Sequence, residues 1–225
     1  MKKSPTAKFF SESLAERLRE RILRGELPPG AQLRQDKVAQ EFGTSHIPVR
    51  EAFAQLEARG FVTIIANRGA FVSAMTRDEA EQLQAMRVAL ELLALDTAVD
   101  AFTAQDAAAA RAILEFDRAA GDVDLWSKNN WAFHRAIYTP CGKRHLMGVL
   151  ESLWQKADRY LRLVWQLASW QDTSLAEHLR IVDAVQAKDK RLAKRLTKEH
   201  ITSAGHVMLE ALSSHRADIE ERMSE

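Results

Sequence analysis

The spacing of apolar residues changes once along this chain of 225 residues, and that change constrains the fold more than any other feature. In the first third, helical spacing is followed by two short β-type runs. From Thr76 onward the spacing is helical throughout, with almost no strand signal. A chain of this length can form one large domain or two modest ones. We predict three parts: a flexible arm over residues 1–10, a small mixed domain over 11–75 and an all-helical domain over 76–225.

The pattern within residues 11–75 predicts three helices and a hairpin. Ser45 can cap the third helix, because its hydroxyl can accept from free amides of the first turn, and Gly60 suits the end of that helix. Two β runs around Asn67-Arg68-Gly69 indicate a hairpin. This order of elements describes a winged helix-turn-helix. The predicted helices run from Ser11 to about Gly25, over Asp36–Phe42 and from Ser45 to Gly60.

The C-terminal part carries all five tryptophans and therefore the bulkier core. Turn-forming residues divide it into helical segments, and we expect an all-α, antiparallel six-helix bundle. The predicted helices are Arg77–Phe102, Gln105–Ala119, Asp122–Tyr138, Arg144–Trp170, Thr173–Ala187 and Lys190–Ser213.

Composition narrows the class of protein. With 46% hydrophobic and 28% charged residues the chain suits a globular fold, and no apolar run approaches the roughly 20 residues that span a bilayer. The single Cys141 cannot form an internal disulfide, which fits a cytoplasmic protein. Residues 1–76 carry 12 Lys and Arg against 8 Asp and Glu, whereas the remainder carries 20 against 23. This asymmetry favours a nucleic-acid partner at the N-terminal end, and we expect no membrane association.

Three motifs occur in order in the N-terminal part. They are Gly25-Glu26-Leu27-Pro28-Pro29-Gly30-Ala31-Gln32-Leu33, Pro48-Val49-Arg50-Glu51-Ala52-Phe53 and Arg68-Gly69-Ala70-Phe71-Val72. Together they resemble the GntR family of bacterial regulators. In that family the second helix of the pair enters the major groove of DNA, and the wing contacts the adjacent groove. The resemblance implies these DNA-binding residues: Ser45, His46, Ile47 and Arg50 on the recognition helix, and Arg68 and Gly69 on the wing.

The chemistry of these residues agrees with a duplex DNA partner. Arg50 can clamp a phosphate or bind guanine through two parallel hydrogen bonds. Gly69 allows a close backbone approach, and Arg68 adds positive charge beside it. The chain has His46 where the family usually has Arg, so that contact becomes pH-sensitive, and Ile47 where Thr is usual, so a hydroxyl contact is lost. The alternatives are that Arg50 pairs with a neighbouring glutamate, or that the winged domain binds another protein.

The helical part contains four further motifs, Arg87-Val88-Ala89-Leu90-Glu91, Asn130-Trp131-Ala132-Phe133-His134-Arg135, Glu177-His178 and Glu199-His200. They resemble the FCD domain, the FadR-type ligand-binding domain of one GntR subgroup, in its smaller, six-helix, VanR-like version. In many such domains an Asp and three His from three helices hold a divalent metal. The matching residues are Asn130, His134, His178 and His200, so a neutral amide replaces the usual carboxylate.

The spacing of these four residues indicates that their side chains point into the helical bundle. Asn130 and His134 are four apart and share a helix face, while His178 and His200 each follow an apolar stripe. Three imidazoles aimed into an apolar bundle are costly unless something binds them. Because imidazole suits several divalent metals, Zn and Ni are both compatible. With Asn130 the site can bind metal weakly, complete its shell with water or a ligand, or stay empty, and each histidine can instead be an ordinary core residue.

Arg87 lies on an otherwise apolar stripe, so its guanidinium needs an anion. Glu91, one turn further on, is the structural partner that spacing predicts. In the functional alternative, Arg87 holds the carboxylate of a small organic acid beside the metal, as FCD domains with acidic effectors imply.

These features predict a DNA-binding transcription regulator that is not an enzyme. We expect a homodimer that reads a palindromic operator in double-stranded DNA and, as a metabolite-responsive repressor of a metabolic operon, answers to a small organic acid. Two alternatives remain: a metal sensor in which the ion is the effector, and a metal-dependent enzyme. The chain contains no H-E-x-x-H, P-loop or G-x-G-x-x-G motif that would support the enzyme.

Overall fold

A computed structural model describes residues 5–118, 123–167 and 170–222 of the chain. The chain divides into two compact units, Met1–Met75 and Thr76–Glu225, called here the N-terminal domain and the helical domain. No helix in the described ranges combines the length and apolar character that a bilayer crossing requires.

The N-terminal domain is the predicted winged helix-turn-helix. Its elements are α1 (Pro5–Leu23), β1 (Gln32–Leu33), α2 (Gln35–Glu41), α3 (His46–Ala58), β2 (Val62–Ile65) and β3 (Gly69–Val72). The strands form an antiparallel sheet in the order β1-β3-β2. Helix α1 begins at Pro5, before the predicted start at Ser11. Strand β1 was missed, because a two-residue strand has no local periodicity.

The core of this domain comes from the apolar stripes of α1 and α3 and the inner face of the sheet. Leu14 and Leu18 of α1 are buried against α3. Gly60 ends α3 in the left-handed conformation, with φ 77°, and its N–H donates to Glu57 O at 2.9 Å. The next amide, Phe61 N–H, donates to Leu56 O at 2.9 Å, which completes a Schellman motif and directs the chain into β2.

The helical domain contains the six predicted helices, with ends shifted by a few residues. They are α4 (Arg77–Ala101), α5 (Ala104–Arg118), α6 (Val123–Tyr138), α7 (Arg144–Leu167), α8 (Gln171–Gln186) and α9 (Lys190–Arg222). A 3-10 turn, Thr139–Cys141, follows α6, and α9 continues beyond the predicted end at Ser213. The predicted break at Gly121 lies outside the described residues.

Helix α4 is central to this domain, because it packs against α6, α7 and α9. Its first turn is capped by the Thr76 hydroxyl, which accepts from Glu79 N–H at 3.2 Å. Leu95 and Val99 of α4 pack in one apolar core with Phe133 of α6 and Val182 of α8. At one level of this helical core the buried side chains are polar instead of apolar, and these polar residues form the candidate ligand site.

Candidate functional site

Helix α3 has one buried and one exposed face. Its buried side chains are Val49, Ala52, Phe53 and Leu56. The opposite face therefore remains exposed, and it includes the predicted DNA-binding residues Ser45, His46, Ile47 and Arg50. Ser45 occupies the N-cap position, but its hydroxyl makes no capping hydrogen bond, so that expectation was wrong.

Arg50 is available for an external partner. Among the residues that the structure describes, none forms an ion pair or hydrogen bond with its guanidinium, so pairing with Glu51 or Glu57 is not observed. Glu57 instead accepts a hydrogen bond from Ile64 N–H at 2.9 Å. Unlike Arg50, His46 has an acidic neighbour in its own domain, because its Nε2 lies 3.5 Å from Asp36 Oδ1 of α2.

The wing turn is held by its neighbour strand. Gln32 of β1 donates from Nε2 to Arg68 O at 2.8 Å, which fixes the backbone where the turn enters β3. Gly69 has a φ of 102°, a conformation that L side chains rarely adopt. The Arg68 side chain is exposed at this turn. Glycine is therefore required here by backbone conformation, and the tip presents backbone and one positive charge.

In the helical domain, the structure brings together the three histidines of the predicted metal set. His134 of α6, His178 of α8 and His200 of α9 are buried, and their candidate ligand atoms all lie within 4.8 Å of one another. His178 Nε2 and His200 Nε2 are 3.1 Å apart. Two nitrogens bound tetrahedrally at 2.0–2.1 Å from a metal are separated by about 3.3 Å, so this spacing suits a shared ion.

Carboxylates orient two of the three rings. Glu177 Oε2 lies 2.7 Å from His200 Nδ1, which places the proton of that ring on Nδ1 and the lone pair on Nε2. Tyr138 OH donates to Glu91 Oε2 at 2.6 Å and lies 3.1 Å from His134 Nδ1, from which it can accept. The lone pair of His134 is then also on Nε2. Both rings thus present a metal-binding nitrogen to the cluster.

Two buried polar atoms of the predicted ligand set lack a partner. Asn130 Oδ1 and His134 Nε2 make no hydrogen bond with any described residue. Orphaned buried acceptors are rare in folded proteins because each costs about 1–3 kcal/mol. Both atoms belong to the predicted ligand set and both have lone pairs. The donor set therefore fits a divalent cation with nitrogen and oxygen ligands.

Burial also sets the protonation of the site. It lowers the pKa of His134 well below its ordinary value, and the neighbouring imidazoles and Arg87 add to this shift. Burial likewise lowers the pKa of His178. Neutral imidazole is the form that ligates metal. Burial and the Glu91 charge raise the pKa of Tyr138 well above its ordinary value, so its hydroxyl remains a donor.

Arg87 is paired as spacing predicted. Its Nε donates to Glu91 Oε1 at 2.8 Å, and its guanidinium carbon lies 3.8 Å from the centroid of a Trp154 ring. Trp154 Nε1 also donates to Glu91 Oε1, at 3.1 Å. Glu91 therefore accepts from Arg87, Trp154 and Tyr138, and it joins the arginine to the histidine cluster.

Sequence reasoning missed part of this network. The carboxylates of Glu177 and Glu91 both adjoin the cluster, and residue spacing did not place them there. Tyr138 was detectable, since it follows His134 by four residues and shares its helix face. Trp154 gave no local signal, because it reaches the site from a different helix, α7.

The chain resembles known transcription regulators along nearly its whole length. Residues 10–72 match the family described as bacterial regulatory proteins, gntR family, and residues 82–203 match the FCD domain. The HTH-type transcriptional repressor GlaR of Escherichia coli is 26% identical over 210 residues, which cover 88% of this chain and 95% of GlaR. The uncharacterized HTH-type transcriptional regulator BphR of Paraburkholderia xenovorans is 30% identical over 202 residues, covering 86% of this chain and 82% of BphR.

A solved structure shows the same fold. The structure of E. coli McbR/YncC superposes with a TM-score of 0.72 at 24% identity and covers 89% of this chain and 97% of that one. The two family matches fall one in each domain of the chain. The relatives are regulators that bind DNA, and none of those compared above is an enzyme. The chain therefore belongs to the gntR family of bacterial regulatory proteins, carries an FCD domain, and is a DNA-binding transcription regulator.

Proposed function

We propose that this regulator is a repressor that binds a palindromic operator as a homodimer and answers to a small carboxylate held beside a divalent metal in the FCD domain. The observation that carries the effector part is the convergence of three buried imidazoles, one of which has an orphaned lone pair on His134 Nε2, with a second orphaned acceptor, Asn130 Oδ1, one turn earlier on α6. Because its target is chromosomal DNA, the regulator would act in the cytoplasm.

The metal would be held by the imidazole nitrogens of His134, His178 and His200. Asn130 Oδ1 or water would complete the set. When bound, the ion would supply a concentrated positive charge that attracts a carboxylate. Zn and Ni both suit such a nitrogen-rich set. The chain's own part is to orient two of the rings, through Glu177 and the Glu91–Tyr138 pair, and to keep His134 and His178 neutral by burial.

Arg87 would provide the second anchor for the acid. Its hydrogen bond with Glu91 uses Nε, and no described residue bonds to its two terminal nitrogens. Arg87 also lines a cavity of ≈ 20 Å³, together with Leu83, Tyr160, Ile201 and Met208. A cavity of that size holds about one water, so an organic acid would have to push the helices apart.

That movement offers a route to the DNA-binding part. The hydroxyl of Tyr160, which lines the cavity, accepts from Thr76 N–H at 3.2 Å. Thr76 caps α4 and is the first residue of the helical domain. Effector binding that displaces α7 would therefore disturb the start of α4, and a change there would alter operator affinity.

Operator binding is tested by selecting duplexes from a randomised library with the full chain, followed by footprinting. Arg50→Ala should weaken binding to the selected site by about 5- to 150-fold and lower the salt dependence by about one phosphate contact. Arg195→Ala is the matched control, since Arg195 is exposed on α9 of the helical domain and pairs with Glu199 at 3.4 Å. If no site is selected, or Arg50→Ala binds like the native chain, the DNA-binding assignment is wrong.

Effector sensing is tested on the same operator. Protein stripped with chelator and then reloaded with Zn or Ni is titrated with a panel of small carboxylates, and release of the duplex is measured. Release that needs both metal and acid, and that His178→Ala abolishes, supports the proposal. Failure of every acid to change operator affinity or melting temperature contradicts it.

A second candidate is a regulator for which the metal ion itself is the effector. Two observations favour it: Arg87 is already paired with Glu91, and the adjacent cavity admits about one water. In that case buffered metal alone would change operator affinity, without any organic acid.

A further inference from the structure

Ile47 is an aliphatic side chain exposed at the start of the recognition helix. It is the second residue of α3, and 61% of its surface is exposed. It does not belong to the apolar core of the N-terminal domain. β-branched residues are also weaker helix formers than Ala or Leu, so neither core packing nor helix propensity explains why isoleucine occupies this position.

The position of Ile47 points to the same partner as Arg50. The two residues are three apart, and Ala54 follows Ile47 by seven, so all three lie on one face of α3, where all are exposed. Ala54 has the smallest side chain that an L residue can have, so this face can approach a base edge closely. His46 and Arg50, on either side of Ile47, can donate hydrogen bonds, whereas Ile47 cannot.

In the major groove of B-DNA one base-edge group is apolar, the C5-methyl group of thymine. We propose that Ile47 contacts this methyl group and selects thymine at one position of each operator half-site, an inference that rests on the proposed operator binding. When the aliphatic side chain covers a methyl group, apolar surface is removed from water and binding becomes more favourable. A hydrogen-bond donor or acceptor in that place would give Ile47 no such gain. In a helix its χ1 is restricted to one main rotamer, so little side-chain entropy is lost on contact.

The test uses the full chain and the duplex obtained by selection. Each thymine of one half-site is replaced in turn by deoxyuridine, which keeps the base pair and removes the methyl group. At one position the native chain should lose about fourfold in affinity, the value expected for one buried methyl group. Replacing that thymine in both half-sites should cost roughly 15-fold if the two contacts add.

Ile47→Ala provides the matched variant, since alanine keeps the helix and shortens the side chain. It should bind the thymine and uracil duplexes with nearly equal affinity. Leu179→Ala, which truncates an exposed aliphatic residue of α8, should keep the fourfold difference. Selection repeated with Ile47→Ala should relax the base preference at that position and leave the others unchanged.

Failure of the proposed methyl contact can be distinguished from failure of the proposed operator binding. If a defined operator is selected but no thymine-to-uracil change matters, or Ile47→Ala retains the difference, the methyl contact is refuted and operator binding stands. If selection yields no preferred duplex, the proposed function fails and this inference fails with it.

Discussion

Replacing Asn130 with Asp tests whether the histidine cluster is built around a cation. Asn130 is 5% exposed, and its Oδ1 has no partner among the described residues. Without metal, an Asp here must stay charged in a buried site or take up a proton. Keeping an Asp of ordinary pKa protonated at pH 7 costs about 4 kcal/mol, which is the upper limit of the destabilisation. A proton held by His134 instead would make the cost smaller.

With a divalent metal bound, the sign of the effect reverses. A carboxylate is a stronger ligand than a neutral amide, and its charge is compensated by the ion. At a metal concentration a hundredfold above Kd, binding adds about 2.7 kcal/mol to the stability. Asn130→Asp should therefore have a lower Kd than the native chain and gain more from the same amount of metal.

Thermal melts with chelator, Zn or Ni measure both effects. A chain of this size shifts by about 2–4 °C per kcal/mol, so Asn130→Asp should melt up to roughly 8–16 °C lower in chelator and recover with metal. Asn129→Asp is the matched control, because it makes the same change at a half-buried neighbour. If Asn130→Asp loses no stability in chelator, or gains no more from metal than Asn129→Asp, the cation-site reasoning is refuted.

Three further predictions concern stability. A Cβ at Gly205 would meet only the flexible end of the half-buried Gln84 side chain, which can move aside, so Gly205→Ala inside α9 should keep the stability or raise it by up to about 1 kcal/mol; a loss of more than about 1 kcal/mol in denaturant unfolding would contradict this. Burial lowers the folded-state pKa of His134 and His178, so as pH falls below about 6.5 the unfolded chain takes up protons first. Metal-free protein should then lose up to about 1.4 kcal/mol per pH unit per histidine until the folded-state pKa is reached, and melts that do not change between pH 7.5 and 5 would disagree. Lys188 Nζ donates to backbone carbonyls at the end of α4, so Lys188→Met should lower the urea midpoint by the equivalent of about 1 kcal/mol, and an unchanged midpoint would show that the cap contributes nothing.

Local patterns predicted most of the elements. The six helices of the helical domain follow from apolar spacing, because helix formation depends on neighbours three and four residues away. The hairpin followed from two β runs around Asn67-Arg68-Gly69, and Asn67 is indeed left-handed, with φ 60°. Strand β1 could not be found this way, since Gln32 and Leu33 become a strand only by pairing with Phe71 and Ala70.

The sequence by itself determined which residues are candidates: an exposed arginine at the start of α3, and three histidines and an asparagine on inward helix faces. Tertiary structure alone decided how they meet. It placed His178 and His200 at 3.1 Å, brought Glu91 into contact with Trp154 and Tyr138, and left Ser45 without its capping bond. The physical reason is that periodicity fixes the direction of a side chain within its own helix, whereas distances between helices depend on how close-packed side chains from several elements interdigitate.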